Sequence, residues 1–411
     1  MSGYGPRLAN EKLHDIWVKV LAIQAPDGHR AVVITSDVCG FSKLTYESLC
    51  TTLKERCGLE RQDLMLTCSH THTGPALREC LHVYWPWENP DARILVEKYS
   101  LNLEASIVAT VKQALTSLVP AKLFATEGTA DFAVNRRNNK EADVPEIRQR
   151  GEALKGPVDH SIPMLVVRSC NGNLKCVLFG YACHSTTLAT KEWSGDYAGF
   201  AMLALERRIP GMDALFFQGC GADQNPIPRG TVDICRKYGE LLATGVETAL
   251  NKPMREIKPS LATAFDFAEL EFQRPLTPDY LAQKSQEKSP WGALSKRYLD
   301  QLQAGTSLAT THPYAIQVWK LGGEQLWISL SGEVVVDYSL NYKAKYGPTT
   351  WVNGFAHDLV CYIPSTRVLH EGGGQEVGVP WAYGLPAEEW TEGIEERINA
   401  TVDRLVQNLS E

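Results

Sequence analysis

Apolar and polar positions alternate along the chain in a way that predicts strands and helices by turns. Residues 17–25 (WVKVLAIQA) and 30–38 (RAVVITSDV) are apolar runs separated by the turn residues PDGH, the pattern of a β-hairpin. Residues 42–58 (SKLTYESLCTTLKERCG) repeat their apolar positions at helical period and stop on glycine. DLMLTCSH (63–70) is predicted as a short buried strand, followed by a long helix over 91–118 and a strand over 121–127. In the middle third, IPMLVVRS and LKCVLFGYACHS flank an NGN turn as a second hairpin. DYAGFAMLALERRI and TVDICRKYGELLATGVETAL are helices on either side of the strand and Gly-rich turn DALFFQGCGADQNP. The last third predicts strands near 261–273, one helix over 277–303, the hairpin YAIQVWKLGGEQLWISLSGE and a helix over VVVDYSLNYKAKYG. The closing stretch AEEWTEGIEERINATVDRLVQNL is predicted as one strongly amphipathic helix. With no repeat, low-complexity tract or linker, the expectation is an α/β fold of mixed β-sheets flanked by helices, with residues 1–411 as one domain.

Composition narrows the class. The chain is 44% hydrophobic and 22% charged, as in globular proteins, and its net charge of -7 is spread among interspersed acids and bases. That distribution argues against a nucleic-acid partner, which needs clustered Lys and Arg. The 11 cysteines form no CxxC pair and sit mostly in apolar runs, which predicts reduced, buried thiols and a reducing compartment. No apolar run reaches membrane-spanning length, and the stretch MSGYGPRLANEKLHD lacks the pattern of a signal peptide, so a cytoplasmic location is expected. The last helix offers a face either for a homo-oligomer or for packing on its own domain.

The candidate chemistry lies at predicted strand ends: His70 and His72 in CSHTHTGPA, His184, Asp223 with Asn225, and Glu333. Side chains at i and i+2 of an extended segment share a face, so the two histidines of HTH can point into one space. Two imidazoles and a carboxylate suit Zn²⁺ with one position left for water, whose pKa such an ion brings to about 7. Each residue also has an ordinary reading. A strand-end histidine is often a hydrogen-bonded structural residue, Glu333 suits a helix N-terminus, and Asp223 suits a turn cap. Asp37 fits either a group orienting a ligand histidine or a helix cap. The aromatic stretches VYWPWENP, with Trp85, and GVPWAYG read either as substrate-binding surfaces or as packed loops.

Six segments in order, SHTHTGP, VNRRN, GPVDHSIPMLVV…GYACHSTTL, GDYAGFA, LSGEVVVDYSL and CYIPSTRVLHEGG, resemble the catalytic domain of the neutral/alkaline non-lysosomal ceramidase family. The resemblance runs over about residues 30–375. The resemblance implies a ceramidase-like zinc-binding catalytic domain whose Zn²⁺ is held by His70, His184, Glu333 and Tyr362. It implies that His72 meets the substrate or moves a proton, and that Arg136 contacts the substrate carbonyl, with its neighbour Arg137 as the alternative. Three departures stand out. Asn225 occupies the place of a family serine, which excludes a Ser-dependent step but leaves an amide to donate to an oxyanion or position water. Asp223 beside it is kept and is expected to orient that turn near the substrate. His370 replaces a tyrosine and is expected to act as an acid/base or anion contact. The sequence ends after the amphipathic helix, so the family's C-terminal β-sandwich is expected to be lacking. The expected activity is zinc-dependent hydrolysis of an amide (N-acyl) bond in a small molecule more polar than ceramide. Metal-bound hydroxide would attack, and His72 or His370 would protonate the leaving group. An esterase, lactonase or cyclic-amide hydrolase of a small or sugar-derived metabolite, and a non-catalytic metal-binding relative, are the alternatives.

Overall fold

In the strand Arg30–Ser36, Val32 and Ile34 face one side while Ala31 and Val33 face the other, and all four are fully buried. A strand apolar on both faces needs cover on both. The computed structural model, which describes residues 1–5, 7–82, 86 and 89–410, provides it with helices on one side and a second sheet on the other. The larger sheet has eight strands in the order Ala387–Trp390, Leu261–Pro275, Thr311–Leu321, Gln325–Ser331, Trp351–Ala356, Leu64–Cys68, Arg30–Ser36, Val18–Gln24. The smaller has five, in the order Asp213–Gln218, Leu174–Tyr181, Ser161–Ser169, Ala121–Thr129, Arg255–Ile257.

Between the sheets lies a layer of large side chains. Trp319, Trp327 and Trp351 of the larger sheet meet Leu165, Leu178, Leu215 and Phe217 of the smaller. The rings of Phe217 and Trp327 are 5.1 Å apart. The outer face of the larger sheet is covered by helices Lys43–Cys57, Pro90–Thr116, Val336–Tyr346 and Ile394–Asn408. Helices Asp196–Arg208 and Val232–Leu250 cover the smaller. The result is a helix–sheet–sheet–helix stack. The last helix turns Ile398, Val402 and Leu405 onto the sheet, so its apolar stripe is covered within the chain. All 11 cysteines are free, and most are buried.

Two expected elements differ. The helix expected over 277–303 is two helices, Pro278–Lys284 and Pro290–Gln303. Pro290 cannot continue a preceding helix, and Ser289 caps a new one by accepting from the Gly292 amide at 3.2 Å. The closing amphipathic stretch begins as an edge strand, Ala387–Trp390, paired with Leu261–Pro275. Its helix starts only at Ile394, after Gly393.

The larger sheet is two halves joined at one point. Trp351–Ala356 runs parallel to Gln325–Ser331, yet meets Leu64–Cys68 only through the antiparallel pair Ala356 and Thr67. Around that seam, the His357 amide donates to the Leu66 carbonyl at 2.8 Å and the Phe355 amide to the Gly332 carbonyl at 2.7 Å. Phe355, His357 and His70 all have left-handed backbones, with φ of 54, 57 and 55°. Such residues cost roughly 1–3 kcal/mol each and persist only where the surroundings fix them. The C-terminal ends of Leu64–Cys68, Gln325–Ser331 and Trp351–Ala356 converge here. The smaller sheet joins them where Gly219, just past the strand Asp213–Gln218, bridges to Asn353.

Two predictions follow from this packing. Trp327 is fully buried between the sheets and donates to Asn353 Oδ1 at 2.8 Å. Trp327→Ala should cost about 3–5 kcal/mol of unfolding free energy in urea titration; a variant of wild-type stability would contradict this core. His357 is buried beside the rings of Tyr46 and Phe265, and burial pushes its imidazole down to about 4 although Asp358 opposes the shift. Its ordinary value is about 6.5, so the unfolded chain binds more protons between those limits and stability is lost as pH falls through that window. From pH 6 to pH 5 the wild type should lose roughly 1 kcal/mol more than His357→Phe. Equal losses in paired urea titrations would contradict a neutral His357.

Candidate metal centre

Gly332, with φ of 72°, turns the chain off the strand Gln325–Ser331 and directly precedes Glu333. A Cβ there would lie 2.6 Å from the Cys361 carbonyl oxygen, so the turn requires glycine. Glu333 then pairs in parallel with Tyr362, which sets carboxylate and phenol side by side. The carboxylate is 2% exposed. Its Oε2 is 3.1 Å from His184 Nε2 and 3.6 Å from His70 Nε2, and Oε1 accepts from the Tyr383 hydroxyl at 2.5 Å.

Both histidines are oriented from behind. Nδ1 of His70 is 2.5 Å from the Cys39 carbonyl and Nδ1 of His184 is 2.7 Å from the Gly221 carbonyl. A carbonyl can only accept, so Nδ1 carries a proton in each ring and Nε2 is the inward atom. This backing is the usual arrangement behind metal-binding imidazoles. The donor atoms of His70, His184 and Glu333 lie within 4.8 Å of one another, and the Tyr362 hydroxyl is 3.4 Å from His184 Nε2. Burial pushes His70 down to about 4, which keeps it neutral near pH 7. Burial alone would raise Glu333; the His70 and His184 rings beside it and the hydrogen bond from Tyr383 outweigh that and hold it well below the carboxylate range. Two imidazole nitrogens, a carboxylate and a phenol oxygen aimed at one space make a donor set that fits Zn²⁺. Cys39, His70 and His72 form a second grouping. The His70 atom nearest the Cys39 sulfur, 3.7 Å away, is the Nδ1 already committed to a carbonyl, and burial pushes the Cys39 thiol well up. The grouping around Glu333 is therefore the better site.

His72 shares the space: its Nε2 is 3.1 Å from His70 Nε2. Burial, followed by the His70 and His184 rings, holds its pKa well below the ordinary value. Arg136 arrives from the other side. The strand Ala133–Asn135 pairs with Gln224–Pro226, which brings Arg136 against Asn225. Its guanidinium donates to Asn225 Oδ1 at 3.3 Å, to the Tyr362 hydroxyl at 3.1 Å and to Glu376 Oε1 at 2.5 Å. Burial disfavours that charge, but Tyr362 and Glu376 more than compensate and keep Arg136 cationic. Because Oδ1 of Asn225 accepts, its Nδ2 is left to donate.

The structure thus brings together His70, His72, His184, Glu333, Tyr362, Arg136 and Asn225. Other expected residues take different places. Arg137 clasps the segment after helix Thr366–Glu371, donating to the Gly372 and Gly373 carbonyls at 2.9 and 2.8 Å and pairing with Glu376 and Glu371. Asp223 spends both oxygens inside the protein, one on the Val336 amide at 2.9 Å and one on Asn135 Nδ2 at 3.0 Å. His370 is not brought to the centre. Val368 turns inward, and two residues on, about 200° around the helix, His370 projects outward with its side chain 64% exposed, 3.9 Å from Glu392. Asp37 neither backs a ligand nor caps a helix: it accepts from the Trp17 amide at 3.0 Å, and Ser42 caps the following helix. Trp85 lies outside the described residues.

Two residues at the centre were not singled out from the sequence. Glu376 had no sequence signal. Tyr383 lies in GVPWAYG, where the structure combines both readings: Tyr383 faces Glu333, while Trp381 lines a separate cleft with Trp291, Tyr280 and Tyr298.

No protein-family model matches the chain, and no curated protein matches it in sequence. Solved structures do match its fold. The neutral ceramidase from Pseudomonas aeruginosa superposes with a TM-score of 0.73 at 18% identity, covering 100% of this chain and 71% of that one. A ceramidase complexed with C2 superposes with a TM-score of 0.70 at 18% identity, covering 98% of this chain and 72% of that one. The stacked mixed sheets and their helices therefore form a ceramidase-like α/β fold.

Proposed function

We propose that this chain is a zinc-dependent hydrolase related to the neutral ceramidases that cleaves an amide (N-acyl) bond in a substrate more polar than ceramide. The convergence of His70, His184 and Glu333 donor atoms within 4.8 Å carries this reading, and the ceramidase-like fold supports it. His70, His184, Glu333 and Tyr362 would hold the ion, which supplies a Lewis acid and an acidified water near neutral pH.

The remaining steps belong to the protein. Arg136, held by Glu376, and the Asn225 amide donate toward the carbonyl oxygen as it gains negative charge. His72 is neutral at rest and correspondingly acidic once protonated. It accepts the proton of the attacking water and delivers it to the leaving nitrogen. Water oxygen bonds to the carbonyl carbon, the C–N bond breaks, and a carboxylic acid and an amine result. The exposed His370 has no part in this scheme. Residues 1–411 serve as one catalytic unit, and the free cysteines suit a reducing, cytoplasmic location.

The test is metal content together with turnover. Protein purified with zinc present should carry about one ion per chain, and His184→Ala and Glu333→Gln roughly tenfold less. In a panel of ceramide, N-acyl amino acids and the matching esters and lactones, the polar amides should be hydrolysed. A zinc-free wild type, or turnover confined to ceramide, would overturn the proposal.

A further inference from the structure

The N-terminal residues lie across the side of His72 that faces away from Glu333. The Ser2 amide donates to the Gly74 carbonyl at 3.2 Å and its hydroxyl to the Pro75 carbonyl at 3.3 Å. Gly3 packs on the imidazole itself; a Cβ there would lie 2.5 Å from His72 Cγ. The Tyr4 ring meets His72 edge-on at 4.8 Å, and its hydroxyl donates to the Thr186 carbonyl at 3.4 Å. Arg7 donates through Nη2 to the His72 carbonyl at 2.6 Å, and its guanidinium stands 5.2 Å from the Tyr4 ring centre. The His72 amide in turn donates to the Ser185 carbonyl at 3.2 Å. Three segments, residues 2–4 with Arg7, residue 72 and residues 185–186, are thereby tied into one wall of the centre.

That wall carries polar atoms without partners. Nε and Nη1 of Arg7, Nδ1 of His72 and Oγ1 of Thr186 are buried and make no hydrogen bond. Thr186 is 3% exposed. The groups that oppose the burial of the Arg7 charge are Tyr4 and Cys39, neither of them a carboxylate. Arg7 as a whole is only part-buried, but buried N–H groups left idle on Nε and Nη1 are costly unless an acceptor meets them, and an anion suits a guanidinium best. Guanidinium and carboxylate form strong charge-assisted hydrogen bonds. Glu side chains satisfy Arg136, Arg137, Arg150 and Arg229 in this way, whereas Arg7, like Arg148, is met by backbone carbonyl oxygen instead.

We propose that Arg7, with Thr186 and the Nδ1 side of His72, is a carboxylate-binding subsite, and that the substrate carries a free carboxylate close to the amide that is cut. The substrate class this names is N-acyl amino acids, and that part rests on the hydrolase reading above. The subsite itself does not.

The probes are N-hexanoylglycine and its uncharged counterpart N-hexanoylglycinamide. Binding to zinc-depleted protein is followed by ligand-observed NMR, and hydrolysis by the zinc-loaded protein is followed separately. Wild type should bind the carboxylate roughly tenfold tighter than the carboxamide or better, with the same preference in kcat/KM expressed through KM. Arg7→Gln should bring both ratios near one, and Arg7→Lys should restore part of them. Should Arg7→Gln unfold, Thr186→Val carries the same comparison and should narrow the ratio. Equal binding of the two probes by wild type, or an undiminished preference in Arg7→Gln, overturns the subsite. Discrimination in binding without turnover of either probe sustains the subsite and overturns the hydrolase reading. Turnover without discrimination does the reverse.

Discussion

A carboxylate with almost no solvent contact sits where the sheets end, and much of the molecule is arranged around it. Glu333 cannot stay ionised at 2% exposure without compensation from its neighbours. The Tyr383 hydroxyl donates to Oε1, Oε2 faces Nε2 of His70 and of His184 as in a candidate cation site, and each of these groups is secured by another element. The Cys39 carbonyl holds His70, the Gly221 carbonyl holds His184, and the ladder beside Glu333 fixes Tyr362. Strand ends from both large sheets must therefore arrive together, which explains why the site lies at a seam.

The seam itself is a compromise. A continuous eight-stranded sheet would carry its ladder through Trp351–Ala356 and Leu64–Cys68, but only one residue pair joins them. Strand ends released from pairing can instead project side chains into a common space. The left-handed backbones of His70, Phe355 and His357 are the local cost, held in place by the tryptophan layer between the sheets and the buried helices outside. Rigidity in the double-sheet core is thus what allows strained residues at its edge.

Much of this was legible in the sequence, for identifiable reasons. Strands buried on both faces read as plain apolar runs, so the hairpins of 17–38 and 161–181 and the ends carrying His70, His184 and Glu333 stood out. Gly58 marked the end of a helix whose start is capped by Ser42 and not, as the sequence also allowed, by Asp37. What failed was information held in packing. The break before Pro290 and the edge strand Ala387–Trp390 arise because another strand or cap competes successfully with helical period. Tyr362 followed from the family resemblance alone, since a tyrosine in an apolar stretch looks like core. Glu376 is an ordinary surface-type residue in sequence, and only the fold sets it under Arg136.

The exchange of roles between His370 and Glu376 shows how a departure in sequence can leave the electrostatics intact. Helix Thr366–Glu371 is anchored by Val368 and by Arg367 pairing with Asp337, and that anchorage points His370 to solvent. Three consecutive glycines follow, Gly372 to Gly374, all with positive φ, and Arg137 grips the carbonyls of the first two. That path returns the chain inward and delivers Glu376 to Arg136. A histidine near the sequence motif is therefore free of the centre, while a carboxylate five residues past the helix takes charge of the Arg136 guanidinium. With that cation neutralised from behind, Arg136 retains its directional donors toward Asn225 and Tyr362 but contributes little net charge. An anionic substrate would then have to be recognised elsewhere, and the unopposed guanidinium on the His72 side is the group placed to do it.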